Sequence, residues 1–239
     1  MCDDQTEADN ARWLARHKVA RRDFGKVGAG VAAAALIPGC ASTGSAAPDA
    51  AVKDRMVTIP TSDGTADGYF VAPAKGRHPG IVMWPDIAGL RDAYKQMATR
   101  LAKAGYAVLV VNQYYRASPA PIFGSMAEWR TEAGQAKLKP MIATIDPAAT
   151  TRDAGAFIRW LDQQPEVDTR KKIGSSGYCM GGPFTFRTAT ANPARVGAIA
   201  SFHGGGLVTD APDSPHQLFA KMKAAALICI AQNDDSKQP

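Results

Sequence analysis

Short, uninterrupted apolar runs recur along the chain from residue 55 onward, and each is followed by a polar or turn-forming stretch. Runs of this length are typical of strands buried on both faces of a sheet, and the segments between them have apolar residues at helical spacing. The predicted elements are buried strands at residues 80–84, 106–111, 196–202 and 224–231, helices at residues 92–104 and 151–163, and short edge strands at residues 55–59 and 68–72. This alternation predicts an α/β fold with a doubly wound, mostly parallel sheet.

A sharp turn between a strand and a helix is indicated by residues 172–182, KIGSSGYCMGG. Gly177, Cys179 and Gly181 have the G-x-nucleophile-x-G spacing of a nucleophile elbow, with cysteine where serine is commoner. The flanking residues suit this interpretation, because residues 170–173 can start a strand and residues 183–191 can form a helix. The simpler alternative is that Cys179 is a small buried hydrophobic residue.

The chemistry of such a turn depends on its position at the start of a helix. Glycines two residues before and after Cys179 would let the strand and the helix pass close together. The positive end of the helix dipole would favour the thiolate of Cys179 over the thiol. The N–H of Met180 would point to the position where an oxyanion forms during acyl transfer.

The sequence GYCMGG, preceded by a strand and followed later by SFHGG, resembles the dienelactone hydrolase family of α/β-hydrolases. The resemblance extends over roughly residues 57–235. It implies an α/β-hydrolase fold with a cysteine nucleophile, and hydrolysis of a lactone or activated carboxylic ester. In the α/β-hydrolase plan, the loop after the strand at residues 80–84 supplies a second oxyanion N–H, and Ile87 is the matching position.

The resemblance implies roles for Asp86 and Arg116, and the neighbouring tyrosines are further candidates for the substrate pocket. Asp86 occupies the position where the family has a glutamate close to the nucleophile, and the alternative is an ordinary loop or cap residue. Arg116 matches an arginine that holds the substrate carboxylate in a bidentate grip, and the alternative is a solvated surface arginine. Tyr115, with its neighbour Tyr114, could line the substrate pocket or pack in the core.

The acid and the base of the expected triad lie late in the chain or beyond it. Asp234 follows the last predicted strand and is the expected acid, with Asp235 as the alternative. The family places the histidine one βα unit further on, so we expect the chain to be truncated and this histidine to lie beyond Pro239. His203, which follows the strand next to the turn, is the alternative for a direct role in binding or catalysis.

The N-terminal residues 1–40 are predicted to be an export signal rather than part of the fold. Arg21 and Arg22, with Phe24 two residues on and a mildly apolar run at residues 27–37, resemble a twin-arginine signal. The residues before Cys40 resemble a lipobox, which would make this cysteine a lipid attachment site. Residues 41–54 are expected to be a flexible tether, and residues 55–239 an incomplete hydrolase domain in the periplasm or on a lipid anchor.

Composition narrows the classes of function. The net charge is +6, but acidic and basic residues are interspersed, so nucleic-acid binding is not expected. The chain has no dinucleotide fingerprint, phosphate loop or metal-ligand pattern, and we expect neither a cofactor nor a metal. The expected partners are a small ester or lactone substrate and the export machinery. A disulfide between Cys179 and Cys229 is not expected, because Cys229 lies within an apolar strand.

Residues 118–146 have no clean hydrophobic period and contain three prolines. We expect this segment to be an insertion over the active site, where such folds vary. Three alternatives to lactone hydrolysis stay open on the sequence. They are other acyl chemistry, such as a thioesterase or peptidase-like activity, a non-catalytic exported binding lipoprotein, and a redox function of the exported thiol.

Overall fold

A seven-stranded sheet forms the centre of residues 51–230, the part of the chain that the computed structural model describes. Its strands are β1 (Val52–Thr61), β2 (Gly64–Pro73), β3 (Gly80–Trp84), β4 (Ala107–Val111), β5 (Ile173–Tyr178), β6 (Val196–Phe202) and β7 (Ala225–Cys229). They lie in the order β1-β2-β4-β3-β5-β6-β7. The β1–β2 and β2–β4 pairs are antiparallel and the others are parallel, which confirms the predicted α/β class.

The described residues contain five α-helices. They are α1 (Asp92–Lys103), α2 (Met126–Trp129), α3 (Glu132–Ile142), α4 (Pro147–Asp162) and α5 (Gly182–Ala191). Helix α1 packs on one face, while α4 and α5 pack on the other. No helix within residues 51–230 combines the length and the hydrophobicity needed to cross a membrane.

The alternation of side chains along β4 shows why the buried strands are apolar throughout. Val108 and Val110 point to the face covered by α1, whereas Leu109 and Val111 point to the face covered by α4 and α5. All four are fully buried. Because successive side chains of a strand point to opposite faces, a strand covered on both sides needs apolar residues at every position.

Several predicted boundaries and roles were wrong. Strand β1 begins at Val52, so residues 52–54 belong to the sheet and not to a tether. Strand β2 is longer than predicted and is not an edge, because it pairs with both β1 and β4. Helix α4 begins at Pro147, before the predicted start at residue 151, because the Asp146 carboxylate accepts a hydrogen bond from the Ala149 N–H at 2.6 Å and caps the helix.

One region of the sheet lacks a helical cover among the described residues. A groove of about 630 Å³ lies on one face of β3, β5 and β6, with Ile81, Ala200 and Phe202 among its apolar lining. Among the described residues, β7 lies at one edge of the sheet and β1 at the other. Leu227, on β7, is 54% exposed.

Candidate active site

The turn that follows β5 carries Cys179 at the carboxyl end of the strand. Strand β5 ends at Tyr178, a short 3₁₀ turn spans Cys179–Gly181, and α5 begins at Gly182. The φ angle of Cys179 is 52°, in the left-handed region that residues with a side chain rarely adopt. Such a conformation persists only where the surrounding structure enforces it. The structure therefore contains the sharp strand-to-helix turn that the sequence predicts.

Two glycines allow the main chain to pack closely around this turn. A Cβ atom on Gly177 would overlap the carbonyl oxygen of Gly181. A Cβ atom on Gly181 would lie 2.5 Å from the carbonyl oxygen of Trp84 and 2.6 Å from that of Pro85. The contact with Pro85 places the turn directly against residues 85–91, which join β3 to α1. We call this segment the β3–α1 loop. A side chain at either glycine would force these segments apart.

The start of α5 provides a favourable electrostatic environment for a thiolate. Cys179 lies half-buried, three residues before α5, a helix of 10 residues. The first N–H groups of a helix have no acceptor within the helix, and the helix dipole is positive at this end. Both effects lower the free energy of a negative charge on the sulfur. The N–H of Met180 lies in the same first turn.

The β3–α1 loop offers a backbone donor for an anion. Three of its N–H groups are paired: that of Asp86 donates to the Tyr94 hydroxyl (2.8 Å), that of Ala88 to the Asp86 carboxylate (3.0 Å) and that of Gly89 to the Asp86 carbonyl (3.0 Å). The N–H of Ile87 has no acceptor within residues 51–230. A backbone N–H without an acceptor is available to an anion, and Ile87 packs against the same buried cluster as Met180.

Tyr114 connects this loop to the turn. Its side chain is fully buried, and its hydroxyl donates to the Ile87 carbonyl at 2.8 Å and lies 3.7 Å from the Met180 sulfur. Burial, together with the nearby negative charges of Asp86 and Cys179, raises the pKa of Tyr114 well above its usual range. The phenol therefore stays protonated and keeps donating at physiological pH.

The insertion packs over the same region. Its helices α2 and α3 contribute to a buried cluster with the loop and the turn, formed by Ala88, Tyr114, Ile122, Phe123 and Leu138, against which Ile87, Trp129 and Met180 pack. The segment is more regular than its sequence suggested, because it contains two helices. Its contact with Ile87 and Met180 agrees with the prediction that it lies over the site.

Comparison with known proteins identifies the chain's relatives. The family model described as the dienelactone hydrolase family matches residues 66–238. The chain belongs to the dienelactone hydrolase family.

Individual relatives are distant. A protein of Methylorubrum extorquens named "Putative carboxymethylenebutenolidase" is 28% identical over 176 residues, which are 72% of this chain and 57% of the relative. A protein of the same name from Synechocystis is 31% identical over 162 residues, 67% of this chain and 63% of the relative. The chain thus spans about three fifths of the length of these two relatives. The crystal structure of a dienelactone hydrolase-like promiscuous phosphotriesterase from metagenomic libraries superposes with a TM-score of 0.60 at 26% identity, covering 78% of this chain and 74% of that one.

In this member of the dienelactone hydrolase family, Asp86 is held by an arginine. Its two carboxylate oxygens accept hydrogen bonds from Arg91 at 2.7 and 2.9 Å, and one of them also accepts from the Ala88 N–H. The Arg91 guanidinium also donates to the Gly89 carbonyl at 3.1 Å. These contacts match the alternative of a loop residue that caps the backbone. A role of Asp86 at the nucleophile stays a prediction.

The expected role of Arg116 is not supported by its contacts. Its guanidinium donates to both oxygens of Asp153 at 2.8 and 2.9 Å, and to Asp63 at 2.6 and 3.2 Å. Only 12% of the side chain is exposed. All of its nitrogen atoms are therefore engaged by carboxylates of the protein itself. Arg116 is neither a solvated surface residue nor available to a substrate carboxylate without breaking these ion pairs.

Tyr115 belongs to the same network. Its hydroxyl donates to the Asp153 carboxylate at 2.8 Å and lies 2.8 Å from the Thr61 hydroxyl. Its ring lies 4.6 Å from the Arg116 guanidinium. Burial raises its pKa to about 12. Tyr115 therefore fits the packing alternative better than the pocket-wall alternative, because its polar end is bound within the protein.

His203 lies next to the turn along the sheet. It follows Phe202, which pairs with Tyr178 in the β5–β6 ladder. Its φ angle is 56°, and its N–H donates to the Cys229 carbonyl at 2.8 Å. The position agrees with a residue at the rim of the site. A direct role in binding or catalysis stays a prediction.

The remaining candidates lie outside the described residues. They are Asp234, Asp235, the twin-arginine segment and Cys40. Cys179 and Cys229 are not joined by a disulfide. Within residues 51–230, no cluster of His, Cys, Asp and Glu side chains could hold a metal ion.

Sequence reasoning missed the polar residues that hold the β3–α1 loop. Gln113 and Tyr114 both donate to carbonyl groups of this loop. No role was predicted for Gln113, and only a packing or lining role for Tyr114. A weak signal was available. Polar residues directly after a buried parallel strand lie at the edge of the sheet where ligands bind.

Proposed function

We propose that the protein is a hydrolase that cleaves a lactone or an activated carboxylic ester through Cys179. The observation that carries this proposal is the left-handed Cys179 in a turn whose Gly181 lies against the β3–α1 loop, where the Ile87 N–H has no acceptor within residues 51–230. This arrangement supplies a nucleophile at a helix N-terminus and a backbone donor beside it. Family membership supports the choice of acyl chemistry.

In the proposed reaction, the Cys179 thiolate attacks the carbonyl carbon of the substrate. The N–H groups of Met180 and Ile87 stabilise the tetrahedral oxyanion, which collapses to a thioester as the C–O bond breaks and the leaving oxygen takes a proton from a histidine. The histidine, oriented by Asp234, then removes a proton from water. The hydroxide attacks the thioester, releases the carboxylic acid and regenerates the thiolate.

The proposed source of this histidine is a segment that continues the fold past β7. The uncovered apolar groove over β5 and β6 and the exposed side of β7 support this part of the proposal, because a further helix and strand would cover both. We also propose that residues 1–40 direct export and that Cys40 carries a lipid. Metabolic labelling with a fatty acid that left the native and Cys40→Ala proteins equally unlabelled would remove the lipid from this proposal.

The activity is tested with the full-length protein and a panel of lactones, p-nitrophenyl esters and thioesters. We expect hydrolysis of a lactone or ester, and a loss on the order of 10⁴-fold or more in Cys179→Ala. Cys229→Ala is the matched control, since it removes the other described thiol and should keep the activity.

The rival functions give different results in the same experiment. Preference for thioesters or peptides would favour other acyl chemistry at the same site. An inactive full-length protein whose Cys179 resists iodoacetamide at neutral pH would favour a binding protein and would contradict the proposal.

A further inference from the structure

Gln113 is a buried residue that contacts the β3–α1 loop from behind. It follows β4, is 2% exposed, and its Nε2 donates to the Asp86 carbonyl at 2.7 Å and to the Pro85 carbonyl at 3.4 Å. Both partners are acceptors, so they fix which end of the side-chain amide faces the loop. The other end, Oε1, is buried with no hydrogen-bond partner in the described part of the chain.

The Asp86 carbonyl belongs to the same peptide unit as the Ile87 N–H. In a planar trans peptide the C=O and the N–H point in opposite directions. Gln113, together with the Gly89 N–H at 3.0 Å, holds the oxygen of this unit and so determines where its N–H points. A hydrogen bond to the carbonyl also polarises the peptide, which makes its N–H a stronger donor.

We propose that Gln113 is a positioning residue that aims and polarises the Ile87 N–H at the oxyanion. This inference rests on the proposed function, in which Cys179 attacks a carbonyl carbon. Gln113 acts through the Asp86–Ile87 peptide and does not touch the substrate.

Stability alone does not account for a glutamine at this position. A buried acceptor without a partner costs about 1–3 kcal/mol, and the unpaired Oε1 of Gln113 is such an acceptor. A methionine of similar shape would fill the same space without that cost. The Asp86 carbonyl would still be bound by the Gly89 N–H. We therefore expect Gln113→Met to keep the melting temperature of the native protein.

Two electrophiles that react with the Cys179 sulfur distinguish a positioning role of Gln113 from a packing role. Acylation of Cys179 by p-nitrophenyl acetate passes through an oxyanion, whereas alkylation by iodoacetamide is a displacement at carbon that forms none. Both are measured on the full-length protein, acylation from the single-turnover release of p-nitrophenolate and alkylation by mass spectrometry of the Cys179 peptide. The rate measured for Cys179→Ala is subtracted, which removes the contribution of the other cysteines.

In Gln113→Met we expect acylation to slow by about 10-fold or more, towards the about 10²- to 10³-fold cost of losing an oxyanion donor. Alkylation should stay within about twofold of native, because the thiolate is unchanged. Thr150→Val is the matched control, since it removes another buried hydrogen bond from a side chain to a carbonyl, that of Thr150 to Asp146 at 2.8 Å. This control should change neither rate.

Acylation at the native rate in Gln113→Met, or an equal fall of both rates, would overturn the inference. Gln113→Leu is a second apolar replacement with the same expected result if the methionine variant does not fold. Failure of the proposed function looks different. In that case Cys179 of the native protein would not react with p-nitrophenyl acetate at all.

Discussion

The backbone of Cys179 is held in a conformation that suits glycine better than cysteine. Its φ of 52° brings the Cβ atom close to the following carbonyl, which costs roughly 1–2 kcal/mol for a residue with a side chain. Gly177 and Gly181 lie so close to neighbouring backbone that neither position has room for a side chain, which holds the turn in this path. The left-handed conformation of Cys179 therefore destabilises the fold locally and is maintained by its surroundings.

Replacement of Cys179 by glycine or by alanine separates this strain from the chemistry. Both variants should lose the proposed hydrolysis. We expect Cys179→Gly to be more stable than Cys179→Ala by about 1 kcal/mol, because glycine adopts positive φ without a steric cost. The free energies of unfolding come from urea titrations of the two variants.

Cys229 is the control for this comparison. It lies at the end of β7, where the backbone is extended. Glycine loses more entropy than alanine in a strand, so Cys229→Gly should be less stable than Cys229→Ala by about 0.5–1 kcal/mol. If Cys179→Gly were also less stable than Cys179→Ala, the strain assigned to Cys179 would be contradicted.

At the scale of elements, an ion-pair network joins the β1–β2 hairpin to α4. Asp63, in the turn of the hairpin, accepts hydrogen bonds from Arg116 at 2.6 Å and from Arg152 at 2.9 Å. Arg116 in turn binds Asp153 of α4. These hydrogen bonds, that of Arg116 first, hold the pKa of Asp63 far below its usual range. The network therefore depends on a carboxylate that stays ionised in acid.

This network predicts a pH dependence of stability. A carboxyl group whose pKa is lower in the folded than in the unfolded protein stabilises the fold fully above its unfolded pKa of about 4. The contribution decreases as the pH falls below that value and is lost as the pH falls through the folded pKa. We therefore expect Asp63→Asn to be less stable than native at pH 7, with a difference that shrinks below about pH 4.

The measurement is urea unfolding of both proteins between pH 7 and pH 3. Asp92→Asn is the control, since Asp92 pairs only with Lys95 in the described structure and its side chain is 85% exposed. Exposed pairs contribute little to stability. A stability difference for Asp63→Asn that stayed constant down to pH 3 would contradict the assigned network.

The elements that follow from local pattern were predictable, and those that depend on distant partners were not. Strands β3 and β6 match their predicted bounds because a short, mostly apolar run between turn-forming residues is a local pattern. The partners of Arg116 were not predicted because they lie 37 and 53 residues away in the sequence. Asp146-Pro147 did carry the signal for the true start of α4, a capping residue followed by proline.

The same limit applies to the site. The spacing of Gly177, Cys179 and Gly181 predicted the turn, because steric exclusion at a bend is a local requirement. Gln113 and Tyr114 bind a loop 27 residues earlier in the chain, and no local pattern specifies that contact. Sequence reasoning therefore found the candidate nucleophile but not the residues that hold the donor beside it.

At the scale of the whole sheet, the helices within residues 51–230 pack on both faces but leave an area over β5 and β6 uncovered, next to β7. The groove over β5 and β6 and the exposed Leu227 form an apolar surface next to an edge strand. Surfaces of this kind favour association between chains, and edge strands offer unpaired backbone groups for it.

We expect the 239-residue chain to self-associate as its concentration rises, and Leu227→Lys to reduce this association. A lysine at an edge strand adds a charge that must stay hydrated, which opposes pairing. Sedimentation velocity over a range of concentrations measures the effect. Val208→Lys is the control, since Val208 is 70% exposed but does not line the groove. Identical sedimentation of all three proteins as monomers would contradict the expectation.

The proposed oxyanion donors are the main-chain N–H groups of Met180 and Ile87. This determines which substitutions would abolish the activity. Most substitutions of these two residues keep their amides, so the donors are insensitive to the identity of their own side chains. The vulnerable positions are Gly181, Tyr114 and Gln113, which carry out no chemistry but fix the path of the backbone. Loss-of-function substitutions at this site should therefore fall mainly on residues that never meet the substrate.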